Sequence, residues 1–236
     1  MIVQACLNGA RPPGYHPRLP VAAAGLAEDA AAVVRAGAAE IHLHVRDNFG
    51  RESLAPADVD ATLIAVRAAV PGTLIGVSTG EWIEADEDRR LAHIAAWHEL
   101  PDHASVNLSE PGAPAVIELL HRRGIGIEAG LATVADAERL ARLGLAALSL
   151  RILVEIGEQD LDAALAQADA VLAAAGVRKP ILLHGFDATV WPLARRAFAL
   201  GLSTRVGLED GATLPDGTPA ADNAALVRAA VLLRAQ

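Results

Sequence analysis

Two histidines and an arginine alternate with apolar residues in one short run of the sequence. Residues 40–46 read E-I-H-L-H-V-R, so His42, His44 and Arg46 occupy every second position. Because successive side chains of a β-strand point to opposite faces, these three side chains share one face. Two imidazoles on one face can bind a single divalent metal ion, as zinc and its neighbours prefer. A pair of hydrogen-bonded interior histidines would show the same pattern, and the spacing leaves both readings open.

A third metal ligand must come from elsewhere in the chain, and the run 205–210, R-V-G-L-E-D, offers one. Alternation places Arg205 and Glu209 on one face. Two neutral imidazoles, one carboxylate and an open water position would form a catalytic metal site. The alternative is that Glu209 and Asp210 belong to a solvated turn. His184 is a further candidate ligand, or an imidazole that only forms hydrogen bonds.

Eight strand-like runs alternate with eight alanine-rich amphipathic segments along the chain. We predict strands at 2–7, 40–45, 74–78, 104–108, 126–128, 147–153, 181–184 and 204–208, and helices at 22–36, 56–69, 86–98, 114–123, 134–143, 160–175, 190–200 and 220–233. This alternation predicts a single (β/α)₈ TIM barrel, one α/β catalytic domain over residues 1–236. The turn after the first run, N-G-A at 8–10, lacks the G-x-G-x-x-G pattern of a nucleotide-binding doubly wound sheet.

In such a barrel, the side chains that carry out chemistry stand at the carboxyl ends of the strands. Polar residues at those predicted ends are Asn8, His42, His44, Arg46, Ser78, Thr79, Ser105, Asn107, Glu128, Arg151, His184, Arg205, Glu209 and Asp210. Buried polar groups need partners, and a bound metal or ligand is a common partner for all of them. The serine, threonine and asparagine side chains could hold a substrate carboxylate or carbonyl oxygen, although such residues also simply terminate strands.

Composition excludes several other classes of function. The formal net charge is −9 and no basic run occurs, so we expect no nucleic-acid partner. The one cysteine, Cys6, cannot form an intramolecular disulfide, and we predict that it is a small core residue. No secretory leader and no apolar run of membrane-spanning length is visible, so we expect a cytoplasmic protein without a membrane partner.

The only lysine, Lys179, lies at the start of the seventh predicted strand. That is the barrel end opposite to the candidate site, so no lysine is placed to form a Schiff base. Carbonyl chemistry at the site would therefore need the metal as its electrophile.

Six motifs together resemble the β-keto acid cleavage enzyme family, whose founding member is 3-keto-5-aminohexanoate cleavage enzyme. They are N-G-A at 8–10, E-I-H-L-H-V-R-D at 40–47, V-S-T-G at 77–80, S-V-N-L at 105–108, I-E at 127–128 and R-V-G-L-E-D at 205–210. The resemblance extends through most of the predicted barrel. Its most specific part is the pairing of H-x-H-x-R-[DE] with R-x-G-x-E-D in different strands.

The resemblance implies a Zn²⁺ ion bound by His42, His44 and Glu209. It implies that Arg205 and Asp210 together abstract a proton, and that Ser78, Ser105 and Glu128 line the substrate site, to which we add Thr79 and Asn107. In the family's reaction a β-keto acid loses an α-proton, its carbanion attacks acetyl-CoA, and a retro-Claisen step releases acetoacetate and a new acyl-CoA. The implied partners are thus a small β-keto acid and acetyl-CoA.

Two positions differ from the family's reference member. An acidic residue there corresponds to Arg11 here, which predicts an anionic or polar substrate tail bound by Arg11. The reference has a glycine-rich loop after the sixth strand, whereas residues 153–158 here read L-V-E-I-G-E, so we expect an altered loop at the CoA site. The alternatives are a CoA-independent metal-dependent aldolase, isomerase or hydrolase, and a non-catalytic metal-binding barrel. Barrels of this type commonly associate, so a homo-oligomer is a further hypothesis.

Overall fold

Eight parallel strands alternate with eight α-helices in a computed structural model that describes residues 1–176 and 178–235. The strands are β1 (Val3–Cys6), β2 (Glu40–Leu43), β3 (Leu74–Ser78), β4 (His103–Asn107), β5 (Gly126–Leu131), β6 (Arg151–Ile156), β7 (Ile181–Gly185) and β8 (Thr204–Val206). The helices are α1 (Ala23–Arg35), α2 (Pro56–Ala69), α3 (Glu87–Ala95), α4 (Ala113–Arg122), α5 (Val134–Arg142), α6 (Leu161–Ala175), α7 (Val190–Ala199) and α8 (Asn223–Arg234). Short 3₁₀ helices cover Leu145–Ala147 and Asp187–Thr189.

The strands form one parallel sheet in the order β7-β6-β5-β4-β3-β2-β1-β8. Ser203, just before β8, joins the two outer strands of this order. Its N–H donates to Ile181 O at 3.1 Å, and its carbonyl oxygen accepts from Leu183 N at 3.0 Å. This seam closes the sheet, and the predicted (β/α)₈ TIM barrel is confirmed.

The strand faces turned toward the helices are apolar, as a parallel sheet covered by helices requires. Ile41 and Leu43 in β2 are completely buried. In α1 the buried residues Leu26, Ala30 and Val33 follow each other at intervals of four and three, which places them on one face of the helix. The polar residues of the strands therefore lie inside the barrel.

Local sequence signals mark several helix starts. The Asp160 side chain accepts a hydrogen bond from Ala163 N at 2.9 Å and so caps α6. Thr133 and Asp136 form a reciprocal capping box at the start of α5. Over the described residues, none of the helices combines the length and apolar character required to cross a membrane.

The sixth strand differs from the prediction. It was expected at 147–153, but β6 covers Arg151–Ile156 and follows a 3₁₀ helix. The apolar run here is longer than one strand, so its composition does not determine where the strand begins. The pairing of Arg151 with Glu128 of β5 determines that start. Arg151 therefore lies at the amino end of β6, opposite to the carboxyl ends of the strands, where the site was expected. The residues expected to start an altered loop, 153–156, are strand.

β5 is also longer than predicted, since it continues to Leu131 instead of ending at 128. Glu128 therefore lies within the strand, below its carboxyl end. Both differences have one physical cause. Alternation determines which face of a strand a side chain occupies, but the height of that side chain along the barrel depends on pairing with neighbouring strands.

Candidate active site and metal centre

A cavity of about 670 Å³ opens at the carboxyl ends of the strands. Its lining includes His42, His44, Ser78, Trp82, Ser105, Asn107, Glu155, Arg205 and Glu209, together with Arg11 and Asp187 from the loops after β1 and β7. The position is the one where barrel enzymes carry their active sites. Most of the predicted site residues are thus brought to one cavity.

Three of these residues form a candidate metal-ligand cluster. One ligand atom from each of His42, His44 and Glu209 lies within 4.8 Å of the other two, and all three side chains are buried. His44 Nε2 is 3.7 Å from Glu209 Oε1. Glu209 Oε2 is buried and has no hydrogen-bond partner among the described residues. Two imidazole nitrogens and a carboxylate oxygen are a donor set that suits zinc and similar divalent ions, so these residues fit a metal.

The electrostatics of His42 favour the ligand form of its imidazole. Burial lowers the pKa of His42 well below its ordinary value, and the positive charge of Arg205 acts in the same direction. A histidine must be neutral to bind a metal ion. His42 is therefore held in the protonation state that a metal site needs.

Backbone contacts between neighbouring strand ends position the cluster. The Asn8 side chain donates to His44 O and accepts from His44 N, each at 2.9 Å. Gly9 has a φ of 54°, and a Cβ at this position would lie 2.3 Å from Cγ of Glu209. Only glycine allows the loop after β1 to adopt this backbone and approach Glu209 so closely. The N-G dipeptide thus places both a ligand backbone and a ligand side chain.

A chain of charged groups lies beside the metal cluster. Arg205 Nη2 donates to Glu209 Oε1 at 2.7 Å and to Glu155 Oε2 at 3.3 Å, and Arg205 Nε lies 3.8 Å from Asp210 Oδ1. His184 lies between the two remaining carboxylates, with Nδ1 3.1 Å from Asp210 Oδ1 and Nε2 3.2 Å from Glu155 Oε2. Both His184 nitrogens therefore face carboxylates, so His184 acts as a partner of Asp210 and Glu155, and Glu209 is the better third ligand.

The carboxylates around His184 also determine its protonation. Burial and the charge of Arg205 lower the pKa of His184, but contacts with Asp210 and Glu155 outweigh them and raise it above its ordinary value. Burial raises the pKa of Glu155, yet the His184 and Arg205 contacts hold it below its ordinary value. Glu155 is thus an anion at the cavity wall.

Four of the six residues predicted to bind substrate line the cavity: Arg11, Ser78, Ser105 and Asn107. Thr79 and Glu128 do not. The Thr79 hydroxyl donates to Ser105 O at 2.8 Å and so ties β3 to β4. Glu128 is completely buried below the cavity, where it accepts from Gln4 Nε2 at 2.9 Å and from Arg151 Nε at 2.7 Å. Both side chains thus have partners within the protein, and their role in substrate binding stays a prediction.

Arg11 lines the cavity, but its donors are largely engaged by the protein. Nε donates to Glu209 O at 3.0 Å, and Nη2 donates to Asp210 O at 3.1 Å and to Asp187 Oδ1 at 2.7 Å. The charge of Arg11 is paired with Asp187, so an anionic substrate tail is not its evident partner. Arg11 instead holds the backbone of the loop that carries Glu209 and Asp210.

Sequence reasoning missed three residues at the site: Glu52, Trp82 and Glu155. Glu52 Oε1 lies 2.5 Å from His44 Nδ1. The sequence feature that could have indicated Glu52 is the turn D-N-F-G at 47–50, because it reverses the chain after β2. Glu155 shares the inward face with Leu153 and Arg151, and a correct start for β6 would have identified it.

A closed parallel barrel with an imidazole pair, a carboxylate and an arginine at the open ends of its strands is typical of metal-dependent (β/α)₈ enzymes. Comparison with known proteins narrows this class. The sequence model of the beta-keto acid cleavage enzyme family matches residues 1–236, and the chain belongs to that family. The family is metal-dependent and comprises enzymes that act on carbon–carbon bonds.

Similar solved structures share the barrel. The apo structure of ObcA has a TM-score of 0.69 at 20% identity, covering 90% of this chain and 61% of that one. A type I 3-dehydroquinate dehydratase from Clostridium difficile has a TM-score of 0.67 at 12% identity, covering 99% of this chain and 92% of that one. At such identities the likeness concerns the fold alone. This chain spans only 61% of the length of the ObcA chain.

Proposed function

We propose that this chain is a zinc-dependent β-keto acid cleavage enzyme that condenses a β-keto acid with acetyl-CoA and releases acetoacetate and a new acyl-CoA. The observation that carries the proposal is the cluster of His42, His44 and Glu209 beside Arg205 at the cavity of a member of this family. A cavity of about 670 Å³ is within the usual size range for small-molecule sites.

His42, His44 and Glu209 would hold the metal. When bound, a divalent ion supplies a Lewis acid that polarises the keto oxygen of the substrate. Arg205 adds a fixed positive charge, because it lines the cavity and donates to Glu209 Oε1 at 2.7 Å. This guanidinium orients the carboxylate ligand and stabilises negative charge that develops on the substrate.

Asp210 is the proposed acceptor of the α-proton. Its carboxylate has no exposed area, and it lies 3.8 Å from Arg205 Nε, whose side chain reaches the cavity. Arg205 Nε and His184 Nδ1 both lie close to Oδ1 of Asp210, and the second oxygen, Oδ2, has no hydrogen-bond partner among the described residues and is the proposed proton acceptor. The Ser78 and Ser105 hydroxyls and the Asn107 amide are available to orient the substrate carboxylate.

No amine or thiol takes part in this proposal. Lys179 Nζ donates to Ser149 O at 2.7 Å, before β6, at the far end of the barrel. Cys6 is completely buried, and burial raises the pKa of its thiol well above the ordinary value. Neither group is in a state to act as a nucleophile on the substrate.

A panel of β-keto acids tests the proposal. Zinc-loaded protein is expected to release acetoacetate from at least one of them, only when acetyl-CoA is present, as followed by mass spectrometry. Asp210→Asn is expected to lower kcat by about 10²-fold or more while zinc content is unchanged, because only the proton acceptor is removed.

The other outcomes separate the competing functions. Turnover that does not need acetyl-CoA would favour an aldolase, isomerase or hydrolase. Bound zinc with no turnover of any compound, with and without acetyl-CoA, would overturn the proposal in favour of a metal-binding barrel. Glu81→Gln, which removes a carboxylate that is 45% exposed, is the matched control and is expected to keep wild-type activity.

A further inference from the structure

We propose that Glu52 is a positioning residue for the metal centre: it fixes the His44 imidazole in the Nδ1–H tautomer and in the ring orientation that turns Nε2 toward Glu209. The inference rests on the proposed metal-dependent function and adds to it a residue outside the ligand cluster.

The two nitrogens of His44 face two different carboxylates. Nδ1 lies 2.5 Å from Glu52 Oε1, and Nε2 lies 3.7 Å from Glu209 Oε1. The first distance is a hydrogen bond, whereas the second is too long for one, so Nε2 of His44 and the unpartnered Oε2 of Glu209 are available to bind one ion. An imidazole that donates through Nδ1 presents an Nε2 lone pair, which is the form a metal ion requires.

Glu52 is itself held in place. Its second oxygen, Oε2, accepts a hydrogen bond from Trp82 Nε1 at 3.1 Å. The Trp82 ring also stacks on the His44 ring, with the centroids 6.2 Å apart and the planes inclined by 26°. The carboxylate and the indole therefore restrain His44 at one ring edge and one ring face, so that the imidazole has little freedom to flip.

The chain reaches this geometry through a local turn. Asp47 Oδ1 accepts from Phe49 N at 2.8 Å and from Arg51 N at 3.0 Å, which closes the turn after β2. The chain then returns, and Arg46 pairs antiparallel with Glu52. Because Asn8 clamps the His44 backbone on the other side, the backbone and the side chain of this ligand are fixed by separate elements.

Zinc affinity tests the inference on the full chain. Wild type, Glu52→Leu, Glu52→Gln and the control Glu81→Leu are titrated with Zn²⁺ in competition with a chromophoric chelator. We expect Glu52→Leu to raise the Kd for zinc by about 10–100-fold. Glu52→Gln should have a smaller effect, because its amide oxygen still accepts from Nδ1–H. Glu81→Leu should stay within about twofold of wild type, since the ion-pair partner of the half-exposed Glu81 carboxylate is Arg90, 4.0 Å away.

The metal-free protein gives an independent readout. ¹⁵N NMR of the histidine rings is expected to show the Nδ1–H tautomer for His44 in wild type and a mixture of tautomers in Glu52→Leu. An Nε2–H tautomer in wild type, or zinc binding by Glu52→Leu as tight as that of wild type, would overturn the inference. If circular dichroism shows that Glu52→Leu does not fold, the Kd for zinc of Glu52→Gln is compared with that of Glu81→Gln instead.

Failure of the proposed function can be told apart from failure of this inference. A wild-type protein that takes up no zinc overturns the proposed function. The tautomer in the metal-free protein is measured without any metal, so it decides the role of Glu52 separately.

Discussion

The barrel interior contains two polar layers with nearly the same chemistry. The upper layer consists of His42, His44, Arg205, Glu209 and Asp210, and the lower layer consists of Gln4, Glu40, His103, Glu128 and Arg151. Each layer contains three histidine or carboxylate groups whose ligand atoms lie within 4.8 Å of one another. By spacing alone, both layers could bind a metal ion.

The layers differ in their access to the cavity. In the lower layer Arg151 contacts both carboxylates, and Gln4 Nε2 donates to Glu40 at 3.1 Å and to Glu128 at 2.9 Å. All five side chains are buried and none lines the cavity. The lower layer is therefore an ion-pair network sealed from the cavity, in which Glu128 Oε2 has no hydrogen-bond partner among the described residues.

In the upper layer the arginine leaves part of the ligand set free. Arg205 engages Glu209 Oε1, while Oε2 has no hydrogen-bond partner in the part of the chain that the structure describes. His42, His44 and Glu209 all border the cavity. Both layers pair an arginine with a carboxylate and leave at least one carboxylate oxygen without a partner among the described residues, so access to the cavity is the difference that favours a metal site in the upper layer.

Removing one ligand from each layer should give the largest contrast. We expect His44→Ala to lose zinc, with a Kd at least 100-fold higher than that of wild type, because only two ligands remain. His103→Gln, in the lower layer, should retain one zinc per chain. Metal analysis after dialysis measures both. Loss of zinc from His103→Gln, or equal zinc in His44→Ala and wild type, would reverse the assignment of the two layers.

Breaking the lower network should mainly affect stability. Arg151→Met leaves Glu40 and Glu128 buried without their cation, which is expected to lower the free energy of unfolding by about 3–5 kcal/mol. Arg122→Met is the control, since the Arg122–Glu118 pair is exposed and such pairs contribute about 1 kcal/mol or less. Urea denaturation of the zinc-free proteins measures both. Equal losses in the two variants would show that the lower layer is not a structural ion-pair network.

The smallest expected effect concerns a carboxyl group outside both layers. Burial raises the pKa of Asp29 to about 6, although a hydrogen bond from Asn223 opposes the shift. The folded protein therefore keeps a proton on Asp29 that the unfolded chain loses above its ordinary pKa of 3.8. The stabilisation from this proton is complete below pH 3.8, declines as the pH rises and is lost above about 6.

Asp29→Asn removes this pH dependence. Between pH 4 and pH 7 the stability of wild type relative to Asp29→Asn should fall by about 1–2 kcal/mol, discounted because Asp29 is partly exposed. Urea denaturation at several pH values measures the difference, with Glu28→Gln as the control. A difference that does not change with pH would mean that Asp29 titrates at its ordinary pKa.

The upper layer was largely predictable from sequence, whereas the lower layer was not. The alternation of His42 and His44 and the R-x-G-x-E-D run identified the ligand cluster because both patterns lie at or just beyond the carboxyl ends of strands. Glu128 and Arg151 were expected at the same level. Their true depth follows from the pairing between β5 and β6, which no local pattern specifies.

Residues outside the strands were the hardest to interpret. Arg11 was expected to meet a substrate tail, but its position is determined by carbonyl groups of the loop after β8 and by Asp187, which are remote in sequence. Glu52 lies beyond a turn, where side-chain direction does not follow strand alternation. In both cases the decisive partner is a tertiary contact.

Hydrogen bonds of Asn223 join the segments that follow the first and last strands, and this long-range contact bears on how the protein folds during synthesis. Asn223 donates to Leu7 O at 2.8 Å across 216 positions of sequence, and its Oδ1 accepts from Leu208 N at 2.6 Å. Translation proceeds from the amino terminus, so His42 and His44 are synthesised well before Glu209. A nascent chain therefore has at first only two of the three proposed ligands. Zinc affinity would appear late, when the barrel closes, and the bound ion would then stabilise the closed barrel over every earlier folding intermediate.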